Sequence, residues 1–381
     1  MALPPFWKVR REVGRVAERM SDRLPVTYMQ DIVRQYKHDR SLSRSLRETR
    51  GSLELGDKVA VFILFQPKGI AESTYITLDH LRESGWSTLV VSNTPLLQTD
   101  REKIALKSAH VIERPNVGYD FGGYREGWRW LGRQGKKPQR LILMNDSTWF
   151  PLRKEDDSIL RMEALGVDLA GHVFKNCHPE TQVHDHLESH FMLFGPRALA
   201  SSAIERFWSE YIMTNSRDQT IRRGEIPLSQ VALASGLSVR GLLDRDVLLN
   251  LLGSLEDKEL LRISARLPMI SDGDRRNGKL WNSSAATGKE WRDDFLSWVL
   301  LQLTTPDGYL LSATFADVAI KLGGMGFLKK SSDIRFQYAR LAVLDGVESG
   351  YLPPFEAVVM SEIEAKVHTC SMNGTLSEKR A

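Results

Sequence analysis

Three apolar runs constrain this chain more than anything else in it: VAVFILF at 59–65, STLVVSN at 87–93 and LILMNDS at 141–147. Each is apolar at successive positions rather than alternate ones, so a strand built from it needs cover on both faces. Between the runs the apolar residues return every three to four positions, as they do in helices. Strands alternating with helices at this interval predict an α/β fold, a mostly parallel sheet flanked by helices. Ligands on such a sheet bind beyond the carboxyl ends of its strands.

The pattern predicts helices at 73–84, stopped by Gly85, and at 100–108 and 122–132, with strands at 110–113 and 140–144. Further strands are expected at 169–174, 190–194 and 238–243, separated by helices at 198–213 and 227–235. After Leu252 the β signal fades, and 289–303, 312–322, 334–344 and 356–368 read as helices. Residues 1–50 have helix-like spacing interrupted by Pro25, which gives two short helices. The organisation is a basic helical region at 1–56, an α/β domain at 57–252, a mainly helical region at 253–370 and a flexible tail at 371–381.

Charge narrows the partners. The formal net charge of +4 is concentrated in the first 50 residues, where twelve Lys/Arg face six Asp/Glu, leaving the remainder at −2 (+4 less +6). A remainder of that sign gives no footprint for nucleic acid. The basic stretch is either a docking face for an anionic membrane surface or the solvated side of helices packed on the main domain. The apolar runs are too short to cross a bilayer, and the first residues lack the charged-then-apolar order of a secretory signal. A cytoplasmic protein, soluble or peripheral on the inner face of the membrane, is therefore expected. Cys177 and Cys370 stand far apart with no CxxC pair, which suits a reducing compartment and excludes a disulfide scaffold or a zinc ribbon.

Polar residues gather where the strands should end: Gln66 after the first, Ser92 and Asn93 after the second, and Asn145, Asp146 and Ser147 after the strand at 140–144. Amides and hydroxyls along such an edge suit a base and a ribose. Asp146 suits a divalent cation, Mn²⁺ or Mg²⁺, held against a diphosphate. The same Asn-Asp-Ser triplet also makes an ordinary turn or cap. In ERPNVGYDFGGYREGWRW at 113–130, Asn116, Gly118, Asp120 and the Gly122–Gly123 pair allow close approach of backbone to ligand before a helix N-terminus. Arg114 offers bidentate pairing with phosphate. The alternative is a strand-to-helix connection whose glycines serve geometry alone. GxGxxG, GxxxxGK[ST] and GxSxG are all absent, which sets aside the dinucleotide fold, the P-loop and the hydrolase elbow.

Five of the nine histidines fall in 172–190, with Cys177 among them. Imidazole and thiolate make a zinc site conceivable, but the spacing fits no closed four-ligand pattern; His184 and His186 equally suit a substrate loop, or a single histidine, His186, assists a cation or diphosphate. Glu225 precedes the helix at 227–235, where an acid is held as the anion. That suits a general base taking a proton from a hydroxyl, and equally an ordinary helix-start acid. Asp185 and Glu188 are rival bases. Trp149, Phe150 and Trp208 either stack on a sugar or base or fill the core.

Taken in order, VAVFILF, STLVVSN, RPNVGYDFGGYREGW, LILMNDSTWFPL, ESHFMLF and GEIPLSQ resemble the rhamnan synthesis protein F family of bacterial polysaccharide glycosyltransferases, over about residues 57–252. GMGFLKK at 324–330 resembles a short motif near that family's end. The resemblance implies a GT-A-like catalytic domain that takes a nucleoside-diphosphate sugar, dTDP-L-rhamnose favoured, and extends a lipid-linked cell-surface glycan such as rhamnan or O-antigen. By motif position, Asn145 and Asp146 stand at the metal-binding acidic motif, Arg114, Asn116 and Asp120 in the donor-binding turn, and Glu225 where inverting relatives place the base. The metal motif departs from Asp-x-Asp and leaves one carboxylate. The expected chemistry is direct displacement, with Glu225 as base and a cation on Asp146 stabilising the diphosphate beside Arg114 or a histidine of 184–190. The rival class is a nucleotide- or glycan-binding module without catalysis in a polysaccharide assembly complex.

Overall fold

The computed structural model describes residues 25–177, 184–265, 267, 288–304 and 310–372. Its strands are β1 (Arg47–Arg50), β2 (Lys58–Leu64), β3 (Ser87–Ser92), β4 (His110–Glu113), β5 (Arg140–Asn145), β6 (Thr148–Trp149), β7 (Leu169–Lys175), β8 (His186–Leu187), β9 (Phe191–Phe194), β10 (Val239–Leu243) and β11 (Leu328–Lys329). The helices used below are α1 (Pro25–Ser45), α2 (Glu72–Glu83), α3 (Gln98–Leu106) and α4 (Tyr119–Arg133); the others are given by range.

The nine-stranded main sheet runs β1-β4-β3-β2-β5-β9-β7-β10, with β8 paired to β7. Strands β2, β3, β4 and β5 pair in parallel, as do β7 and β10, and β9 lies antiparallel between β5 and β7. Six strands thus share one direction against β1, β8 and β9, and the mostly parallel α/β sheet expected from the sequence is found.

Both faces are covered, as the apolar runs require. In β2, Val59, Val61 and Ile63 enter one core while Ala60, Phe62 and Leu64 enter the other. The first core takes α4, through Phe121, Tyr124, Trp130 and Leu131, and the helix Ser202–Glu210. The second takes α2 and the C-terminal helices, whose Leu252, Phe295, Val318, Val359 and Ile363 join sheet residues in one cluster. Helix α4 can lie on β2 because it presents glycines there: a Cβ on Gly127 would stand 2.4 Å from Val61 Cγ1, and one on Gly123 2.8 Å from Ile63 Cδ1.

Two features depart from the sequence pattern. Residues 47–50, within the region expected to be helical, form the edge strand β1, antiparallel to β4. Its sequence, RETR, carries no apolar alternation. Contacts across the sheet edge hold it, with Glu48 Oε2 3.0 Å from His110 Nε2 and accepting from Trp130 Nε1 at 3.1 Å. The helix expected at 198–213 is divided into Pro196–Leu199 and Ser202–Glu210. The first of the two expected N-terminal helices, and the tail from residue 373, lie outside the described residues.

Helix α1 packs with its polar side inward. Asp31, Gln35 and His38 are buried, while Met29, Val33 and Tyr36 are 58%, 49% and 59% exposed. Asp31 pairs with Arg34 at 2.5 Å and Arg223 at 2.8 Å, Gln35 Oε1 accepts the Met213 N–H at 2.7 Å, and Asp39 receives two bonds from Arg125 of α4. Among the described residues, no helix is long and apolar enough to cross a membrane.

Candidate functional site

The carboxyl ends of β2, β3, β4 and β5 form one edge, and the chain leaving them is tied strand to strand. Asn93 N–H donates to the Leu64 carbonyl, Arg114 N–H to Ser92, and Asp146 N–H to Ile63, at 2.8, 2.9 and 3.1 Å. Most of the polar residues expected to face a ligand here instead build the edge. Ser92 Oγ donates to the Thr94 carbonyl at 2.6 Å, and Asn93 Nδ2 to the Tyr119 carbonyl at 3.2 Å. Gln66 accepts the Ala71 N–H at 2.7 Å and donates to Thr74 Oγ1 at 2.9 Å, fixing the start of α2.

Arg114, expected to pair with phosphate, is buried in the turn that follows β4, where both its terminal nitrogens are bonded and its Nε has no hydrogen-bond partner among the described residues. Its guanidinium donates to Asn93 Oδ1 and to the Val117 carbonyl, both at 2.6 Å, and burial lowers its pKa to about 10. The turn closes through Gly118, whose φ of 80° only glycine adopts freely, and whose N–H donates to Asn215 Oδ1 at 3.0 Å. Asn116 is half-buried, and its Oδ1 finds no hydrogen-bond partner among the described residues.

What remains facing the edge is a group of carboxylates. Asn145 Nδ2 donates to Asp120 Oδ2 at 2.9 Å, and its own oxygen accepts from Ser147 N–H at 3.1 Å. Phe65 N–H donates to Asp146 Oδ2 at 2.8 Å. Burial, with the nearby Asp146 and Glu225 charges, pushes the Asp120 carboxyl up to about 7. Burial also raises Asp146, against the pull of the Phe65 N–H and the Lys330 ammonium.

Glu225 ends a π-helical turn, Ile221–Glu225, that leads into the helix Ile226–Ala234. Its Oε2 accepts the Ser189 N–H at 2.9 Å and the Ser189 hydroxyl, and its Oε1 lies 3.5 Å from His186 Nε2. Burial would raise this carboxyl, but His186 and Ser189 outweigh it and hold it down to about 2. For His186, burial is likewise outweighed by Cys177, Glu225 and the His184 carbonyl, which raise it to about 10. Both ring nitrogens of His186 face acceptors, Nδ1 standing 2.7 Å from the His184 oxygen, so neither has a lone pair for a metal. The expected metal role of His186 does not fit this geometry.

Of the other described histidines in this segment, His184 is exposed, while His172 and His190 are core residues. His172 and His190 pack on Phe327 with ring centroids 4.7 and 4.4 Å away, and burial, helped by Lys329, holds His172 at about 3. His178 lies outside the described residues. Trp149, Phe150 and Trp208 are buried in the two cores. Asp185 holds its own loop through the Cys177 N–H at 2.7 Å, and Glu188 is paired with Lys329 Nζ at 2.8 Å. Among the described residues, no three His, Cys, Asp or Glu side chains converge in a way that could hold a metal ion.

Two site residues escaped a role in the sequence reading. Strand β11, from the GMGFLKK segment, pairs antiparallel with β6 just after the Asn145–Ser147 turn. It brings Lys329 and Lys330 to the same edge, Lys330 N–H donating to the Ser147 carbonyl at 2.8 Å. The signal available was an adjacent pair of lysines closing an apolar, glycine-rich run.

Residues 88–253 match the model of the rhamnan synthesis protein F family, and the resemblance seen in the sequence holds over that stretch. The uncharacterized protein y4gN of Sinorhizobium fredii (strain NBRC 101917 / NGR234) is 28% identical over 360 residues, 93% of this chain and 91% of its own length. Among solved structures, the mannosyltransferase PcManGT of Pyrobaculum calidifontis, in complex with GDP-Man and Mn²⁺, is 9% identical and aligns over 93% of this chain and 96% of its own with a TM-score of 0.31. A glycosyltransferase involved in glycosylation of the major capsid of PBCV-1 is 11% identical, over 45% of this chain and 77% of its own, with a TM-score of 0.25. Scores this low add nothing to the fold, which rests on the strand pairings above.

Proposed function

We propose that this chain is a glycosyltransferase that moves a sugar from a nucleoside-diphosphate donor, dTDP-rhamnose favoured, onto a lipid-linked glycan growing into a surface polysaccharide such as rhamnan or O-antigen. One observation carries the reading. The stretch that matches the rhamnan synthesis family, 88–253, contributes Asp120, Asn145, Asp146 and Glu225 to a single sheet edge.

The reaction is a direct displacement. An acceptor hydroxyl gives up its proton as its oxygen attacks the anomeric carbon, and the bond to the diphosphate breaks with its electron pair leaving on the diphosphate. A base works best with a pKa near the operating pH. Glu225, given that part on sequence grounds, has both oxygens engaged and sits at about 2. Asp120, at about 7, is better matched, so we give proton acceptance to Asp120 and make Glu225 the positioning residue that fixes Ser189 and His186. Asn145 orients the Asp120 carboxyl.

Helix α1 and its surroundings suit work at the inner face of a membrane. The exposed Met29, Val33 and Tyr36 lie among Arg34, Lys37 and Arg40, a pairing of apolar stripe and positive charge that fits an anionic lipid surface. Beside α1 opens a cleft lined by Phe207, Tyr211, Val231, Arg206 and Arg222, with apolar and cationic contacts suited to the lipid phosphate of the acceptor.

A non-catalytic binding module is the second reading, favoured by the lone carboxylate of the Asn145–Ser147 turn. Release of nucleoside diphosphate from dTDP-rhamnose, UDP-sugars and GDP-sugars, assayed with acceptor-bearing membranes, separates the two. Release from one donor that disappears in a folded Asp120→Asn protein is the result expected of a transferase. Binding of a diphosphate with no release from any donor would favour the module.

A further inference from the structure

A divalent cation, the usual counter-charge for a departing diphosphate, does not fit the residues at this edge. Of the carboxylates here, Asp146 already has one oxygen accepting the Phe65 N–H at 2.8 Å, Asp120 has one accepting from Asn145 Nδ2 at 2.9 Å, and Glu225 is engaged by Ser189 and His186. His186 has no free lone pair, and among the described residues no other cluster supplies the ligands. Magnesium and manganese draw on one or two carboxylates with free oxygens, the diphosphate and water completing the shell, and each carboxylate at this edge has an oxygen already engaged.

The edge holds a positive charge of its own. The β11–β6 pairing sets Leu328 opposite Trp149 and Lys329 opposite Thr148, and so delivers Lys330 beside Ser147. Lys329 is committed, its Nζ 2.8 Å from Glu188. Lys330 is not: no ion pair within 4.0 Å among the described residues includes it. Its ammonium has a long 3.5 Å contact to Ser73 Oγ and lies 5.6 Å from the centre of the Trp149 ring. Glu362, the other nearby carboxylate, is occupied by Ser73 N–H at 3.0 Å and Trp149 Nε1 at 2.8 Å. A half-buried ammonium left without an ion-pair partner next to the Asn145–Ser147 turn has a charge to give to a ligand.

We propose that Lys330, carried to the sheet edge by the β11–β6 pairing, takes the place of a divalent cation and binds the diphosphate of the donor. The inference rests on the transferase reading above. As the glycosidic bond breaks, the electron pair passes to the diphosphate oxygen, and the Lys330 ammonium offsets the charge that gathers there.

The test is isothermal titration of the full chain with dTDP, UDP and GDP, in EDTA and in Mn²⁺, for the native protein and for Lys330→Ala, Lys330→Met and Lys330→Arg. One diphosphate should bind with the same affinity, within about twofold, in both buffers. Loss of the charge should weaken that binding about tenfold or more, the size of a charge-assisted contact. Lys330→Met keeps the packing of the stem, and Lys330→Arg should restore most of the affinity. The matching nucleoside, which lacks phosphates, should bind all four proteins alike. Binding that requires Mn²⁺, or that is unchanged in Lys330→Met, overturns the proposal and leaves the transferase intact. Binding of none of the three diphosphates by the native protein in either buffer overturns the transferase reading itself.

Discussion

Glu225 holds His186 in its charged form: the carboxylate lies 3.5 Å from Nε2 while Nδ1 faces the His184 carbonyl at 2.7 Å. The pair joins β8 to the π-helical turn ahead of Ile226–Ala234, so it stabilises the fold as well as the edge. The Glu225 carboxyl is lowered from 4.5 to about 2, so its contribution is present above 4.5 and lost as pH falls towards 2. His186 is raised from 6.5 to about 10, so its contribution is complete below 6.5 and lost as pH rises towards 10. Glu225→Gln leaves a buried imidazolium without its partner and should lower stability by about 3 kcal/mol at pH 5.5. In urea unfolding the deficit should shrink at pH 9, where the histidine loses its proton more easily; a deficit equal at both pH values would mean the pair is not ionised.

Asp120 has the opposite sign. Its carboxyl is raised from 3.8 to about 7, so the native state keeps a proton that the unfolded chain has already released, and stability falls as pH climbs through that interval. Asp120→Asn removes the penalty. The variant should match the native protein near pH 4 and exceed it by about 4 kcal/mol at pH 8, on the scale of a shift of that size, while losing sugar transfer. Equal melting temperatures at pH 8 would show that Asp120 carries no such burden.

Gly127 of α4 sits against Val61 of β2, where a methyl group would come within 2.4 Å of Cγ1. Alanine gains about 1 kcal/mol in helix propensity, but overpacking a rigid interface loses about 1–3 kcal/mol. The net expectation for Gly127→Ala is a lower unfolding midpoint in urea with an unchanged m-value. Gly132, at the far end of the same helix with open space around its Cα, is the control, and Gly132→Ala should not destabilise.

Helix α1 should bind lipid through its outer stripe. Met29→Asp with Val33→Asp should reduce co-sedimentation with phosphatidylglycerol vesicles several-fold while leaving the melting temperature within about a degree, since exposed substitutions change stability by little. Native binding should weaken in 0.5 M salt, because the flanking Arg34, Lys37 and Arg40 act through a screened field. Sedimentation that is equal on phosphatidylcholine and phosphatidylglycerol would remove the electrostatic part of the reading.

The sheet was legible because its strands are apolar at successive positions: VAVFILF became β2 and STLVVSN became β3 nearly residue for residue. Strand direction was not, since FMLF reads the same whether β9 runs with or against β5. The edge strand RETR was hidden because hydrogen bonds and ion pairs, which leave no periodic trace, hold it. At the site, Asn145, Asp146, Asp120 and Glu225 could be singled out as polar residues at strand ends and helix starts. Their division of labour could not. Arg114 looks like a phosphate ligand until Asn93 and the Val117 carbonyl are seen to occupy it. Lys330 belongs to a segment far along the chain, and only the pairing of β11 with β6 brings it to Ser147.

That pairing also bears on when the edge is assembled during synthesis. A ribosome completes β2 through β10 well before Lys330 is made, yet the edge receives its lysines only after β11 has docked on β6. If Lys330 holds the donor diphosphate as proposed, nascent chains released after residue 323 should fail to bind it. On that proposal, donor binding waits for residues 324–330 rather than for the stretch that carries Asp120 and Glu225.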